Sequence, residues 1–476
     1  MGVIMLSIKQ QLDPLYRPES VAIIGATNDL RRWGGWVVDR PIRTGFEGRL
    51  YPVNPRESEI QGLPAFPTVG EISDDVDMAI IVVRAHLVPQ IMQECVAKGV
   101  RSAIVISAGF EEAGPEGQEL QERAVAIARE GGLRFAGPNC QGIYTAATNF
   151  NVMWPTTPMP GGISIVSQSG SYAAGLGSQL IARGVGVRSC LSIGNQADLS
   201  MADYLEYLAQ DDETSAICLY VEGFRDEGRR FFETARAVTK QKPVLMFKPG
   251  RTATGARATR SHTASLAIED SLIEAMCRQA GIIRAEGSED LLTMADAVAT
   301  AGPSTGTGVA IINGAGAQCV IIADACDALG LTVPEFDDEM RGRIQEIVPP
   351  HAPPARNPVD LGGPGPDPEM HLDVIEMMAS RDDVHTVVTG SLAVGGPWGD
   401  GEMSPRDEEL FERLASLPER SRTKIVISGF RGASSGDNPL LRRYREAGLP
   451  AFFGEECARA VYAMARAGDG LRRGGE

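Results

Sequence analysis

Residues Val21-Ala22-Ile23-Ile24-Gly25-Ala26-Thr27-Asn28 have the pattern of a buried β-strand that runs into a glycine-containing turn. Gly34-Gly35 follows at or near the start of a helix. A strand, turn and helix of this kind place backbone N–H groups and the positive end of a helix against a phosphate group. The dinucleotide fingerprint G-x-G-x-x-G is absent, because Thr27 stands at its second glycine. The stretch therefore predicts a Rossmann-like domain that binds a phosphorylated ligand.

The next strand ends in Tyr51-Pro52-Val53-Asn54-Pro55-Arg56, where an NAD-binding domain would usually place an acidic residue on the ribose. Here the tip offers an amide at Asn54, a ring at Pro55 and a guanidinium at Arg56. These groups suit a phosphorylated ribose, which NADP and the 3′-phosphate end of coenzyme A both contain. Both ligands stay open at this point, as does a Rossmann-like domain that binds nothing.

Short apolar runs alternate with longer amphipathic runs along all 476 residues, a pattern typical of parallel sheets covered by helices. Stretches rich in turn-forming residues at 151–162 and 301–308 interrupt this pattern. We therefore predict three α/β domains, a Rossmann-like one at 1–150 and doubly wound ones at 151–304 and 305–476. The predicted strands are 21–25, 50–53, 78–83, 103–107 and 133–135, then 163–166, 187–193, 216–220, 244–247 and 282–283, and finally 309–312, 384–389, 424–427 and 451–453.

The composition narrows the class of protein. A formal net charge of −17 argues against nucleic acid or an anionic membrane as the main partner. The sequence has no apolar run of about 20 residues that could span a bilayer, and it begins without the features of a secretory signal. Eight cysteines without a C-x-x-C pair and five dispersed histidines predict neither a disulfide framework nor a metal site. We expect a cytoplasmic protein.

A second strand leads directly into a helix at Ile163-Ser164-Ile165-Val166-Ser167-Gln168-Ser169-Gly170-Ser171. The stretch resembles a hydrolase nucleophile elbow, but Ser167 and Ser171 occupy the two glycine positions of G-x-S-x-G, which makes that interpretation a minor one. A helix start with free N–H groups and hydroxyls instead predicts an anion site at Ser169, Gly170 and Ser171. Gly194-Asn195 and Glu222 follow two other strands, and we expect them at the same edge.

His262 lies in Ser261-His262-Thr263-Ala264-Ser265, which we predict to be a loop between a buried strand at 243–247 and an amphipathic helix beginning near Ala264. An imidazole at the mouth of a parallel sheet, beside the positive end of a helix, is well placed to carry a phosphoryl group. A carboxylate such as Glu222 would fix the tautomer of the ring. From the residues alone, a capping or surface histidine stays equally open, and a solvated loop acid is the commoner role for Glu222.

Taken together, these motifs resemble the α subunit of nucleoside-diphosphate-forming acyl-CoA synthetases, the group that includes succinyl-CoA synthetase and the ADP-forming acetyl-CoA synthetases. The match runs over nearly the whole chain, and it is specific through the order and spacing of the motifs. The third domain resembles the additional flavodoxin-like ligase domain of that family. The motifs are Ser20-Val21-Ala22-Ile23-Ile24-Gly25-Ala26, Val53-Asn54-Pro55, Ser107-Ala108-Gly109-Phe110, Gly137-Pro138-Asn139-Cys140, Ser167-Gln168-Ser169-Gly170, Gly194-Asn195, Tyr220-Val221-Glu222-Gly223, Ser261-His262-Thr263, Asn313-Gly314-Ala315-Gly316 and Asn357-Pro358-Val359-Asp360-Leu361.

The resemblance implies a Rossmann-like coenzyme A-binding domain followed by two flavodoxin-like domains. It implies the reversible conversion of a carboxylic acid, coenzyme A and ATP into acyl-CoA, ADP and phosphate, through an acyl phosphate. His262 would carry the phosphoryl group and Glu222 would orient the ring. The phosphate contacts it implies are Ser169, Gly170, Ser171, Gly194 and Asn195. The coenzyme A contacts it implies are Gly25, Ala26, Thr27, Asn28, Asn54, Pro55, Arg56, Val83, Arg84, Ser107, Ala108, Gly109, Asn139 and Cys140, with Cys140 a packed turn residue rather than a catalytic thiol.

Two departures from the family pattern S-H-T-G-x-L-A-G stand near the histidine. Ala264 and Ile268 occupy its two glycine positions, and the bulkier Ile268 puts the movement of the loop in question. The chain also lacks an ATP-grasp domain. The resemblance therefore implies a separate ATP-grasp β subunit, which would form an α2β2 assembly with this chain. Mg-ATP or Mg-ADP would then bind on that partner only, while the acid substrate is expected to be a small carboxylic acid.

Three alternatives follow from the same features. A non-catalytic or regulatory coenzyme A-binding protein is suggested by Ala264, Ile268 and the missing ATP-grasp domain. An acyl-CoA transferase would use the same scaffold without ATP. An NADP-dependent oxidoreductase is suggested by the Rossmann-like start and Arg56, and is the weakest of the three.

Overall fold

The computed structural model describes residues 6–224, 228–262, 269–363, 367–392, 403–429 and 439–475. The chain forms two compact units. One contains Met1–Ile181, Gly186–Val238 and Met246–Arg284, and the other contains Ala182–Val185, Thr239–Leu245 and Ala285–Glu476. Three parallel-type sheets account for the α/β class that the sequence predicted, and two of them lie in the first unit. The division into three domains at 150 and 304 stays a prediction.

The first sheet has the strand order β2-β1-β5-β6-β7, and its neighbouring strands pair in parallel. Its central strands are buried along their whole length, as expected for strands covered on both faces. Its strands are β1 (Ser20–Ile24), β2 (Arg49–Val53), β5 (Met78–Ile81), β6 (Ser102–Val105) and β7 (Arg134–Ala136), with a small ribbon of β3 (Glu59–Ile60) and β4 (Leu63–Pro64) beside it. Its helices are α1 (Ile8–Tyr16), α2 (Trp33–Thr44), α3 (Val88–Lys98) and α4 (Pro115–Glu130).

The second sheet has the order β14-β13-β12-β10-β11-β8-β9. Strand β10 pairs in parallel with β11 and β12, whereas β8 runs antiparallel to β11. Its strands are β8 (Ile143–Thr145), β9 (Phe150–Asn151), β10 (Pro160–Ser167), β11 (Val187–Ser192), β12 (Ala216–Tyr220), β13 (Val244–Phe247) and β14 (Ile283–Ala285). Its helices are α5 (Gly170–Ala182), α6 (Met201–Ala209), α7 (Gly228–Val238), α8 (Ala253–His262), α9 (Asp270–Ala280) and α10 (Ser288–Ala301).

The third sheet has the order β16-β15-β17-β18-β19 and is parallel. Its strands are β15 (Val309–Asn313), β16 (Val359–Asp360), β17 (Thr386–Gly390), β18 (Lys424–Ser428) and β19 (Ala451–Phe452). Its helices are α11 (Gly316–Ala328), α12 (Asp338–Ile347), α13 (Pro368–Ala379), α14 (Pro405–Ala415), α15 (Leu417–Ser421), α16 (Pro439–Glu446) and α17 (Glu455–Gly475). Within the described ranges, no helix combines the length and apolar character needed to cross a bilayer.

The strand orders locate the ligand-binding edges. With the β3–β4 ribbon and the antiparallel β8–β9 pair set aside, each sheet has the doubly wound order 2-1-3-4-5. In such sheets ligands bind beyond the carboxyl ends of the strands, at the point where the strand order reverses. That point lies between β1 and β5 in the first sheet and between β10 and β12 in the second. The flavodoxin-like prediction for the second and third sheets is confirmed.

Two local features differ from the sequence prediction. Strand β8 precedes residue 151 and β9 ends on it, yet both belong to the second sheet, because β8 pairs antiparallel with β11 and β9 pairs with β8. Ser261 and His262 were predicted to lie in a loop, which is wrong, since their backbone forms the last turn of helix α8; residues 263–265 of the predicted loop lie outside the described residues. Thr252 explains the helix, because its hydroxyl accepts a hydrogen bond from the Gly255 N–H at 3.1 Å and so caps the first turn. The following helix, α9, begins at Asp270.

Candidate active site

The turn after β1 is built on close backbone contacts. Gly25 has a φ of +92°, and a Cβ atom there would lie 2.3 Å from the Val82 carbonyl oxygen. A Cβ atom at Gly34 would lie 2.1 Å from the Gly25 carbonyl oxygen. Only glycine fits at either position, because both contacts are far inside van der Waals distance. The end of β1, the start of α2 and the residues after β5 therefore meet at the reversal point of the first sheet.

Amide side chains hold this turn from both sides. The Asn54 Nδ2 group donates to the Ala26 carbonyl at 2.8 Å, and its Oδ1 atom accepts from the Arg56 N–H at 2.9 Å. The Asn28 Oδ1 atom accepts from the Gln61 N–H at 2.8 Å, and Gln61 Nε2 donates to the Thr27 carbonyl at 3.3 Å. The side chains of Asn28 and Asn54 therefore hold the backbone turn of the predicted coenzyme A site through hydrogen bonds to main-chain groups.

Two arginines remain available for an anionic ligand at this edge. Arg56 follows β2 and Arg84 follows β5, so they flank the Gly25 turn of the strand between them. Both side chains are exposed, and neither makes an ion pair with any described residue. Arg31 and Arg32, by contrast, are both paired with Asp29. In a chain with a net charge of −17, two free guanidinium groups beside a phosphate-type turn mark an anion site.

The residues after β6 form the neighbouring wall. The Ser107 hydroxyl donates to the Val83 carbonyl at 2.6 Å and accepts from the Val83 N–H at 3.1 Å, so it ties the exits of β5 and β6 together. Ala108 is exposed beside it. The Gly109 N–H donates to Glu112 Oε1 at 2.7 Å. The Val83 and Ser107 groups are thus used within the protein, and the exposed surface here consists of Ala108 and Arg84.

Cys140 does not face this surface. Its Sγ atom lies 3.3 Å from the Val105 carbonyl oxygen, inside the sheet, and burial raises the pKa of the thiol to about 12. A buried thiol with a raised pKa is unreactive. Cys140 is therefore packed in its turn with Sγ directed inward, and its place in the coenzyme A site stays a prediction. Asn139 is exposed with a φ of +58°, and its Nδ2 group donates to Asn195 Oδ1 at 3.3 Å.

Gly194 and Asn195 serve the packing of the two sheets in the first unit. A Cβ atom at Gly194 would lie 2.2 Å from the Pro138 carbonyl oxygen. The Asn195 Nδ2 group donates to Glu112 Oε2 at 2.6 Å and to Gln121 Oε1 at 3.1 Å. Burial acts to raise the pKa of Glu112, but this bond and three backbone N–H donors outweigh burial and lower it. The Asn195 side chain and N–H therefore take part in packing, while the predicted phosphate-binding role of Gly194 and Asn195 stays a prediction.

The start of α5 has the properties of an anion site. Ser169 Oγ accepts from the Tyr172 N–H at 3.4 Å and lies 3.3 Å from Ser171 Oγ. The N–H groups of Gly170 and Ser171 have no hydrogen-bond partner among the described residues. A Cβ atom at Gly170 would lie 2.7 Å from the Gln141 Cβ atom, so only glycine fits at the helix start. Ser169, Gly170 and Ser171 thus lie at the positive end of a helix with two N–H donors that have no partner among the described residues, and their phosphate-binding role stays a prediction.

Glu222 lies next to this helix start, across the reversal point between β10 and β12. Its side chain is only 8% exposed, so it is a buried carboxylate rather than a solvated loop acid. Burial and the nearby Glu222 charge raise the pKa of Tyr220 well above its usual range, with a hydrogen bond between the two side chains contributing. The Tyr220 ring stacks on that of Tyr172 of α5 at 3.9 Å between centroids. Aromatic packing thus joins the strand that carries Glu222 to the first turn of α5.

Two further residues at this edge did not stand out as site residues in the sequence. The Gln168 side chain holds the backbone of Glu222 and Gly223 through hydrogen bonds at 2.8 Å and 3.1 Å to Gly223 and a shorter one to Glu222. Lys248 follows β13 and is only 5% exposed, with one hydrogen bond, to the Pro249 carbonyl at 3.2 Å. Burial lowers the pKa of Lys248. The available signal was a polar residue near the end of a predicted buried strand, directly after it for Lys248 and two positions after it for Gln168.

His262 is the last residue of α8, which follows β13 and Lys248 along the chain. Residues 263–268, with Ala264 and Ile268, lie outside the described residues. Among the residues whose placement is described, no three His, Cys, Asp or Glu side chains converge to hold a metal ion. All eight cysteines are buried and free.

Comparison with known proteins identifies the family. A model described as a coenzyme A-binding domain matches residues 19–146, one described as a succinyl-CoA ligase-like flavodoxin domain matches 160–298, and one described as a ligase-CoA domain matches 309–395. The α subunit of ADP-forming acetate–CoA ligase II from Pyrococcus furiosus is 41% identical over 350 residues, which are 74% of this chain and 76% of that protein. The chain belongs to the ADP-forming acyl-CoA synthetases, as an α subunit. This acyl-CoA synthetase chain is therefore an acid–thiol ligase that uses coenzyme A.

Two other comparisons extend over more of the synthetase chain. The α subunit of ADP-forming acetate–CoA ligase I from Pyrococcus furiosus is 38% identical over 384 residues, covering 79% of this chain and 82% of that protein. The structure of acetyl-coenzyme A synthetase 1 from Ca. Korarchaeum cryptofilum, in complex with phosphate and ADP, superimposes with a TM-score of 0.84 at 28% identity. It covers 97% of this chain and 98% of that one. The α/β fold and the family resemblance predicted from the sequence are confirmed.

The first sheet of the synthetase fits coenzyme A. The ligand carries a 3′-phosphate and a pyrophosphate, and the reversal point offers the Gly25 turn between the free arginines Arg56 and Arg84. The Val82 carbonyl lies so close to Gly25 that only glycine fits there. Because Gly25 has no side chain, the backbone of the turn can make a close contact with a phosphate. Arg56, Arg84, Ala108 and the Gly25–Asn28 backbone lie at this edge, and their contact with coenzyme A stays a prediction.

Proposed function

We propose that this α subunit passes a phosphoryl group between an acyl phosphate and an ATP-binding partner, with His262 as the carrier. The observation that supports this most directly is the edge between β10 and β12, where the free N–H groups of Gly170 and Ser171 lie beside the buried Glu222. A helix start of this kind stabilises a phosphorylated ring, and a carboxylate fixes the tautomer of an imidazole. The C-terminal end of α8, where His262 lies, does not favour an anion, so the stabilisation comes from α5.

The chemistry is nucleophilic substitution at phosphorus. The lone pair of the His262 imidazole forms the N–P bond, while the bond from phosphorus to the acyl oxygen breaks and its electrons leave with the carboxylate of the acid. The other ring nitrogen keeps its proton, and Glu222 accepts a hydrogen bond from it. The phosphoryl group then passes to ADP on the partner, which restores the free imidazole. In this direction the acyl phosphate arises from acyl-CoA and inorganic phosphate, and coenzyme A leaves as the free thiol. In the opposite direction the thiol of coenzyme A attacks the acyl phosphate and phosphate leaves.

The partner and the substrate complete the proposal. The relatives are named as α subunits, which supports a second subunit. We infer that this subunit has an ATP-grasp fold, binds Mg-ATP or Mg-ADP and forms an α2β2 assembly with this chain. The acid is a small carboxylic acid, and acetate, named for both relatives, is the first to test. The cytoplasmic location expected from the scattered cysteines belongs to the same proposal.

Phosphorylation of the purified complex with radioactive ATP tests this function. We expect an acid-labile label on the α chain that disappears in His262→Ala. Glu222→Gln should reduce the labelling rate by about 100-fold or more, because orientation and proton placement are lost. Coenzyme A affinity, measured by calorimetry, should stay unchanged in both variants because that site lies on the first sheet.

The other outcomes contradict the proposal in different ways. A label that persists in His262→Ala would place the carrier at another residue. Intact coenzyme A binding without any label on the active complex would favour a regulatory coenzyme A-binding protein. Acyl exchange between acyl-CoA and a free acid, without ATP or phosphate, would favour an acyl-CoA transferase.

A further inference from the structure

Gln168 stands where the ladder between β10 and β12 would otherwise end. The last paired residues are Ser167 and Tyr220, and the Gln168 N–H donates to the Tyr220 carbonyl at 3.2 Å. The main chain then turns away, and α5 begins at Gly170. Glu222 and Gly223 therefore have no β10 backbone beside them.

The Gln168 side chain takes the place of that missing backbone. Its Oε1 atom accepts hydrogen bonds from the N–H groups of Glu222 and Gly223, the latter at 3.1 Å. Its Nε2 group donates to the Gly223 carbonyl at 2.8 Å. A single amide thus supplies both an acceptor and a donor, as a β-strand backbone does.

This arrangement connects the start of α5 to Glu222, the two parts of the proposed phosphoryl site. Gln168 lies two residues before the free N–H group of Gly170, and its amide fixes the backbone of Glu222. The residue before Glu222 is held from the other side, because the Val221 N–H donates to the Phe247 carbonyl at 3.1 Å. Loss of the amide would remove the hydrogen bonds that hold the Glu222 backbone beside the start of α5, and the position of the carboxylate relative to α5 would change.

We propose that Gln168 is a positioning residue for phosphoryl transfer, acting through Glu222. This inference rests on the proposed phosphohistidine function. Gln168 does not carry the group itself; it holds the carboxylate that orients the imidazole against the helix that stabilises the phosphoryl group. Its contribution therefore depends on Glu222 being present.

A double-mutant cycle on the complete complex tests this dependence. Gln168→Met removes the three amide hydrogen bonds, and we expect it to slow labelling of the α chain by about 10- to 100-fold, as misplacement by a fraction of an ångström does. In the Glu222→Gln background, the same substitution should slow labelling by less than about 2-fold, because the residue on which it acts is already disabled. Equal effects in both backgrounds would overturn the proposal, since a merely structural role is additive.

Controls separate this inference from folding and from the proposed function itself. Gln345→Met is the matched control, because the Gln345 Oε1 atom accepts from the Ala355 N–H at 3.0 Å in the other compact unit, and its labelling rate should equal that of the unaltered chain. Should Gln168→Met not fold, Gln168→Glu keeps the acceptor oxygen and enters the same cycle. Absence of label in the unaltered complex would refute the phosphohistidine function, whereas normal labelling in both Gln168 variants would refute only the role of Gln168.

Discussion

Side chains at the carboxyl edges of the sheets divide into those that hold turns and those that face a ligand. Asn28, Asn54 and Ser107 bond to neighbouring backbone, whereas Arg56 and Arg84 are exposed and unpaired among the described residues. The sequence predicted where these residues lie, because the exit of a strand follows from its apolar pattern. Which way each side chain points could not be predicted, since it depends on partners such as Gln61 that come from other segments.

The free arginines give the first residue-scale prediction. Arg56→Ala and Arg84→Ala should each weaken coenzyme A binding by about 10-fold, because each removes a hydrogen-bonded charge from a phosphate of the ligand. The loss should shrink as salt concentration rises, since these exposed charges are screened. Isothermal titration calorimetry at two ionic strengths measures both effects.

Arg101→Ala is the control for that measurement. Arg101 is also exposed, but it precedes β6 at the opposite edge of the same sheet and pairs with Asp77 at 2.5 Å. Its removal should leave coenzyme A affinity within about 2-fold of the unaltered value, as expected for a surface ion pair remote from the ligand. Equal losses in all three variants would show that the arginines act only through net charge.

Gln168 and Asn195 both show that a local sequence motif does not determine the role of a side chain. Both stand in motifs that the family resemblance picked out, yet their roles follow from residues far away in the chain. The Gln168 amide bonds residues 54 and 55 positions further on, and Asn195 bonds Glu112, which lies 83 positions before it. Contacts of this range are set by the order of the strands, which a single strand–turn motif does not contain.

At the scale of elements, the buried strands were predicted well and the segment around His262 was not. Strands such as β12 and β13 were found within a residue of their ends because buried parallel strands are continuous apolar runs. Helix α8 was missed because it shows no apolar stripe, and its signals are local, a Thr252 cap followed by alanines and arginines. Strands β8 and β9 were missed because they are three and two residues long.

The cap of α8 gives the element-scale prediction. Thr252→Ala removes the hydroxyl that accepts from the Gly255 N–H, and this should destabilise α8 by about 1 kcal/mol. Amide hydrogen exchange in residues 255–260 should then be about 5-fold faster at 25 °C, while exchange in the neighbouring strand β13 stays the same. Thr254→Ala is the control, because the structure gives the Thr254 hydroxyl only a contact with Arg257 at 3.2 Å. An equal change in both variants would mean that Thr252 does not act as a cap.

At the scale of the whole molecule, the three sheets follow from the alternation of apolar and amphipathic runs, but the compact units do not. Helix α10 lies within the range 151–304 that was predicted as the second domain, and by contacts it groups with the compact unit that contains the third sheet. Arg445 pairs with Asp296 at 2.9 Å and Arg459 with Asp290 at 2.9 Å, so α10 is bound to α16 and α17. Such ion pairs join residues more than 140 positions apart, so a local sequence pattern does not predict them.

The second unit should lose stability in mild acid because of a buried histidine. His371 is 1% exposed, its Nε2 atom lies 3.0 Å from Thr389 Oγ1, and burial lowers its pKa to about 4. The His371 ring therefore binds a proton near pH 6.5 in the unfolded chain, but only near pH 4 in the folded chain. The unfolding free energy should fall by about 3 kcal/mol between these two values, and stay level above pH 6.5.

Chemical denaturation at several pH values measures this loss. His371→Gln keeps a polar group near Thr389. In this variant the fall in unfolding free energy between pH 6.5 and pH 4 should be smaller by about 3 kcal/mol than in the unaltered protein. The contributions of the other titrating groups cancel in this comparison. His385→Gln is the control, because His385 is a partly exposed histidine of the same unit. Parallel curves for His371→Gln and the unaltered protein would show that the buried ring does not govern the acid limit.

The interleaved boundaries of the two compact units also bear on how such a gene can be divided. The chain passes from one unit to the other five times, at residues 181–182, 185–186, 238–239, 245–246 and 284–285. A single cut at any one of these positions leaves at least one unit with pieces on both fragments. Each cut leaves at least one fragment without a complete unit, so split versions of the gene should yield fragments that both fold only when they are co-expressed.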